Sequence, residues 1–116
     1  MLFLCYPKCS TCQKAKKWLD ARGRAVEVRD IKTQPPTAEE LSLWQERSGL
    51  PLKKFFNTSG QSYRALGLKD RLDAMDRAGQ LALLAGDGML VKRPILVDGD
   101  TVLVGFREAD WAAALG

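Results

Sequence analysis

Cys9-Ser10-Thr11-Cys12 follows the apolar run Leu2 to Tyr6 and opens an amphipathic stretch. Two thiols three residues apart at a helix N-terminus suit thiolate chemistry, because unpaired backbone N–H groups and the positive end of the helix dipole favour an anion there. The thiolate is the working nucleophile, and such settings lower its pKa to roughly 3.5–7.5. Cys9, flanked by Pro7, Lys8, Ser10 and Thr11, reads as that nucleophile. A buried apolar thiol is the competing reading and suits those neighbours poorly. Cys12, one turn on, is spaced to resolve an oxidised Cys9 or simply to pack. Cys5 reads as core. A zinc site built from Cys5, Cys9 and Cys12 lacks a fourth ligand, and the chain contains no histidine, so no metal is expected.

Lys92-Arg93-Pro94 is the second informative patch. A proline entering a strand beside an active-site turn is a candidate for a cis peptide bond. Arg93 would there present a fixed guanidinium fork, suited to an oxyanion or a thiolate. A solvated charge at a strand end is the bland reading of the same residue. Lys8 adds a cation next to Cys9. The basic residues Lys14, Lys16, Lys17, Lys53, Lys54 and Lys69 read as solvated helix faces.

These residues need a scaffold. Leu2 to Tyr6 reads as a short strand buried on both faces. Cys12, Ala15, Trp18 and Leu19 then share one face of a helix from Thr11 to Arg22, closed by Gly23. Val26 and Val28 alternate with Glu27 and Arg29, the pattern of a second strand reaching about Ile31. Thr37 and Glu40 make a capping-box pair opening a helix through Leu41, Trp44 and Ser48 to Gly49. A short helix is expected from Pro51, a turn at Asn57-Thr58-Ser59-Gly60, and mostly helix from Tyr63 to Ala85 with a break near Gly67. Ile95 to Val97 and Val102 to Val104 flank Asp98-Gly99-Asp100, a hairpin signal, and Glu108 to Leu115 closes as a helix. The tryptophans Trp18, Trp44 and Trp111 fall at core positions. The order is βαβ, a helical segment over about 37–90, then ββα. That is an α/β chain of thioredoxin/glutaredoxin-like arrangement, with a mixed four-stranded sheet and a helical insertion, in one domain spanning 1–116.

Composition agrees with one modest globular core. Of 116 residues, 46% are hydrophobic, and 18 basic against 14 acidic residues leave a net charge of +4. That mild excess permits an oxyanion or an acidic partner and does not call for nucleic acid. No run approaches a membrane span, Met1 to Tyr6 is too short for a signal peptide, and three cysteines do not suit a secreted disulfide framework. A cytoplasmic monomer is the expectation.

Residues 5–19 (CYPKCSTCQKAKKWL), 63–68 (YRALGL), 92–95 (KRPI) and 104–106 (VGF) resemble the arsenate reductase/Spx/MgsR family over essentially the whole chain. The resemblance implies a bacterial thioredoxin-like protein with a reactive Cys9. In its glutaredoxin-coupled arsenate reductases the matching cysteine attacks arsenate, glutathione resolves the adduct, and three arginines hold the oxyanion. Arg93 matches one of these, Arg107 falls near another, and the third position is Asn57. No bound cofactor is implied; glutathione with glutaredoxin, or thioredoxin, would supply electrons. The Spx-like branch instead uses a Cys-x-x-Cys switch, kept here as Cys9 and Cys12, and binds RNA polymerase through its alpha subunit. The extended charged tail often seen in Spx proteins is not present before Gly116.

Overall fold

A computed structural model describes residues 1–115; Gly116, the last residue of the expected domain, lies outside the described residues. Four strands form one mixed sheet in the order β2-β1-β3-β4, with β1 at Leu2–Cys5, β2 at Glu27–Asp30, β3 at Ile95–Asp98 and β4 at Thr101–Val104. The β1–β2 pair is parallel, and β1–β3 and β3–β4 are antiparallel. A parallel neighbour needs a crossover, here the helix α1 at Ser10–Ala21. The β3–β4 connection is instead tight. Asp98 pairs with Thr101, and Gly99, at φ +58°, occupies the position of a two-residue turn that L side chains avoid.

The pleat assigns side chains to two cores. Phe3 and Leu96 are register partners and pack, with Cys5, Cys12, Ala15 and Leu19, against Trp111 of the last helix. Leu4 and Ile95, the next pair, face the opposite way into a larger cluster built from the inserted segment. Both faces of β1 are thus covered, which explains its uninterrupted apolar run. The insertion comprises α2 (Ala38–Ser48), a 3-10 turn at Leu52–Phe55, α3 (Gln61–Ala65), α4 (Leu68–Arg71), a second 3-10 turn at Leu72–Ala74, α5 (Arg77–Gly86) and a third at Gly88–Leu90. The chain then ends in α6, Glu108–Leu115.

The capping box of α2 forms as expected. Glu40 N–H donates to Thr37 Oγ1 at 3.1 Å, and Thr37 N–H donates to Glu40 Oε1 at 3.0 Å. The same carboxylate receives Arg29 of β2 through both of its oxygens, at 2.8 and 2.9 Å. One glutamate therefore starts the insertion and ties it to the sheet edge.

Exposure sets two residues apart from the cores. Val28 is 53% exposed, because β2 is an edge strand and its central position leaves one flank uncovered. Trp18 is half-buried rather than core. It borders Trp111 and Phe106 edge-on, and Arg22 lies over its outer surface at 4.2 Å. The helical stretch after Tyr63 also breaks a second time, where Asp76 caps α5 by accepting from Gly79 N–H at 2.8 Å.

Candidate functional site

Cys9 is the N-cap of α1, with extended backbone angles of φ −84° and ψ 122°. Its N–H donates to Tyr6 C=O at 2.9 Å, closing the turn Tyr6-Pro7-Lys8-Cys9. The half-buried thiol thus sits at the mouth of the helix while Cys12, 2% exposed, lies beneath it in the Phe3–Trp111 cluster. Tyr6 N–H donates to Cys12 Sγ at 3.4 Å. All three cysteines are free thiols.

The two thiols of the motif have opposite chemistry. Partial burial alone would push the Cys9 pKa up. The N–H of Cys12, the Cys12 thiol, the N–H of Thr11 and the Arg93 charge more than offset that, so the Cys9 pKa falls below its ordinary 9.0. None of those N–H groups makes a capping bond of ordinary geometry to Cys9, so their effect is that of nearby oriented dipoles. Burial pushes Cys12 up to about 12, reinforced by the neighbouring Cys9 charge and opposed by the Tyr6 N–H. Cys5 is raised as well, through burial first and then Asp30 and Cys9. Cys9 is thus the more acidic thiol of the motif, and Cys12 the less acidic one.

Arg93 reaches this site from the far end of the insertion. The Arg93–Pro94 peptide is cis. Arg93 Nη1 donates to Met89 C=O at 3.4 Å, its guanidinium carbon lies 5.4 Å from the centre of the Tyr6 ring, and its buried Nε has no partner. Around it, the backbone is braced on both sides. Phe56 bridges Val91, Lys92 N–H donates to Phe55 C=O at 2.7 Å, and Gly105 N–H donates to Pro94 C=O at 2.8 Å.

Cys9, Cys12 and Arg93 act on one another's surroundings, and the other candidates have these positions. Lys8 is exposed and makes none of the contacts at Cys9. Asn57 is anchored elsewhere: its N–H donates to Leu90 C=O at 2.7 Å, and its Oδ1 accepts from Ser59 Oγ at 3.3 Å. Arg107 is exposed, and its carbonyl starts α6 by accepting from Trp111 N–H at 3.0 Å. Tyr6 and Met89 escaped the sequence reading. Tyr6 precedes a proline turn and carried no chemical signal of its own, and Met89 contributes only a carbonyl. Among the described residues no group of three or more Cys, Asp or Glu side chains converges as a metal site. The shallow depressions on and beside α2, one lined by Ala38, Ser42 and Leu43 and the other by Gln45, Leu52 and Arg77, do not touch Cys9.

A mixed four-stranded sheet with a cysteine capping its first helix and an X-Pro cis bond entering β3 defines a thioredoxin-like fold. Residues 4–114 match the model of the ArsC family, and the chain belongs to that family. It is 56% identical over 108 residues to the protein YusI of Bacillus subtilis (strain 168), covering 93% of this chain and 92% of that one. The crystal structure of a possible arsenate reductase from Streptococcus mutans UA159 superposes with a TM-score of 0.87 at 51% identity, covering 96% of each chain. The regulatory protein MgsR of Bacillus subtilis (strain 168) is 29% identical, over 95% of this chain and 86% of its own length.

Proposed function

We propose that this protein is a thiol oxidoreductase in which Cys9 is the nucleophile, Arg93 anchors an oxyanion, and Cys12 or an external thiol resolves the adduct. The observation that carries the reading is the placement of a half-buried thiol at the start of α1, its acidity raised by the surrounding N–H groups and Arg93. With arsenate, the Cys9 thiolate forms an S–As bond while a protonated oxygen leaves as water. A second thiolate, from glutathione or from Cys12 once its proton has passed to the departing arsenate oxygen, attacks Cys9 Sγ. The S–As bonding pair passes to arsenic, which is reduced from the pentavalent to the trivalent state, and a disulfide remains. A cellular dithiol protein, glutaredoxin or thioredoxin, reduces that disulfide in the bacterial cytoplasm. Arg93, whose only side-chain bond among the described residues is the long one from Nη1 to Met89 C=O, has donors to offer the oxyanion, with Lys8, Arg107 and Asn57 as further candidates.

The test is arsenite production from arsenate with glutathione and glutaredoxin, or with thioredoxin, by the wild type and by Cys9→Ser. Arsenite formed by the wild type and not by Cys9→Ser supports the reading. No Cys9-dependent product with arsenate or any small disulfide would remove it.

A second reading rests on the likeness to MgsR and on the Cys9 and Cys12 thiols being near enough to shift one another's acidity. In it, a Cys9–Cys12 disulfide switches the affinity of the fold for the alpha subunit of RNA polymerase. Equal binding of the oxidised and reduced protein to that subunit would remove this one.

A further inference from the structure

We propose that Tyr6 is a positioning residue: its ring is the platform that holds the Arg93 guanidinium over the site of Cys9. The inference rests on the functional reading of Cys9 and goes one residue further. An arginine at a working site is usually oriented by a carboxylate or by several carbonyls. Arg93 has neither. Among the described residues no carboxylate lies within ion-pair distance of it. Its Nε is buried without a partner, and Nη1 has one long bond, 3.4 Å to Met89 C=O. The Tyr6 ring, 5.4 Å from the guanidinium carbon, is within the range at which a ring face attracts a cation. An aromatic face can hold a guanidinium without consuming its N–H donors. The donors stay free for an incoming anion.

Tyr6 is well placed for this because its backbone is fixed from both sides. Its carbonyl accepts from Cys9 N–H at 2.9 Å, and its N–H donates to Cys12 Sγ at 3.4 Å. The ring therefore moves with the turn that carries the nucleophile, whereas Arg93 comes from the end of the insertion. Tyr6 couples two segments 87 positions apart in register with one another. The charged and titratable groups around the pair include Cys9 at the N-cap of α1, Cys12 and Lys16 of α1, Cys5 of β1, Asp30 of β2, and Lys32 after β2, whose Nζ lies 6.0 Å from the same ring centre.

The readout is the pH midpoint of Cys9 alkylation by iodoacetamide, followed by mass spectrometry of the Cys9 peptide, which needs no turnover. Wild type, Tyr6→Phe, Tyr6→Leu, Arg93→Gln and the double variant Tyr6→Leu/Arg93→Gln are compared, each checked for folding by circular dichroism. Tyr6→Phe keeps the ring and is expected to keep the wild-type midpoint. Tyr6→Leu is expected to raise the midpoint and to slow alkylation at pH 6 about threefold to tenfold. In the Arg93→Gln background the same change should add nothing. A midpoint that rises with Arg93→Gln but not with Tyr6→Leu overturns the role of Tyr6 and leaves the reading of Cys9 standing. A Tyr6→Leu shift that persists in full without Arg93 also overturns it, because the effect then runs through the Cys12 contact. A midpoint indifferent to Arg93 overturns the role of Tyr6 and leaves the reading of Cys9 resting on the N–H groups of Cys12 and Thr11. Should Tyr6→Leu fail to fold, Tyr6→Met supplies a ring-free side chain of similar volume, and the same outcomes apply.

Discussion

Gly88 separates the end of α5 from the segment that delivers Arg93, and it has no room for a side chain. A Cβ built there would lie 1.8 Å from Ile31 C=O and 2.8 Å from its carbon, both backbone atoms. Real Cβ contacts to carbonyl oxygen stay above about 3 Å, so Gly88→Ala forces more than about 1 Å of separation between two backbones. Ile31 follows β2 directly, its N–H donates to Cys5 C=O at 2.9 Å, and its side chain is fully buried, so it cannot retreat cheaply. Overpacking of this kind costs about 1–3 kcal/mol, which for a chain of this length lowers Tm by roughly 5–15 °C. Gly86 provides the control. A Cβ there meets nothing within 4 Å, and it sits in the last turn of α5, so Gly86→Ala is expected to be neutral or to stabilise by up to about 1 kcal/mol. Thermal unfolding followed at 222 nm compares the two variants with the wild type. A Tm for Gly88→Ala within about 2 °C of the wild type would refute the reasoning, because the structure allows no conservative route around the Ile31 carbonyl.

The acidities of the two thiols predict strong labelling selectivity. At pH 7 a thiol with a pKa of about 12 is ionised in only about one molecule in 10⁵, whereas one below 9.0 exceeds roughly one in 10². Limiting iodoacetamide should therefore modify Cys9 at least about a thousandfold faster than Cys12 in the reduced native protein; comparable labelling in peptide maps would contradict the assignment. Glu40→Gln should cost about 1–2 kcal/mol at pH 7, since it weakens a two-oxygen bond to Arg29 that is partly shielded from solvent. Arg29 is the chief cause of the lowered Glu40 pKa, so this stabilisation is complete above the unfolded-state carboxylate pKa and is lost as pH falls through the lower folded value. Urea titrations at pH 7 and pH 3 should accordingly show the difference between wild type and Glu40→Gln shrinking in acid, and a difference that grows would oppose it.

Much of this protein is local chemistry and was legible residue by residue. Cys9 and Cys12 are a helix start and a helix face because of their spacing. Thr37 and Glu40 meet because a capping box needs only residues three apart. Gly99 turns the hairpin because its φ is positive, and Arg93 abuts a strand because Pro94 does. Each of those relations spans a few residues, so the sequence could carry it. The tertiary structure alone decided which distant groups meet. Val28 alternates with Glu27 and Arg29 as a strand residue does, and strand order puts it on an open edge. Asn57 stands at a position matched to an oxyanion arginine, yet it serves its own turn and the Leu90 carbonyl. Tyr6 meets Arg93, and Gly88 meets Ile31, only after the insertion has folded back across the sheet. Such contacts depend on how whole elements pack, which no short window of residues encodes. The sequence alone determined that Cys9 would stand at a helix mouth; packing decided that the Cys12 thiol lies buried beneath it, its pKa raised, and that the Arg93 charge acts on Cys9.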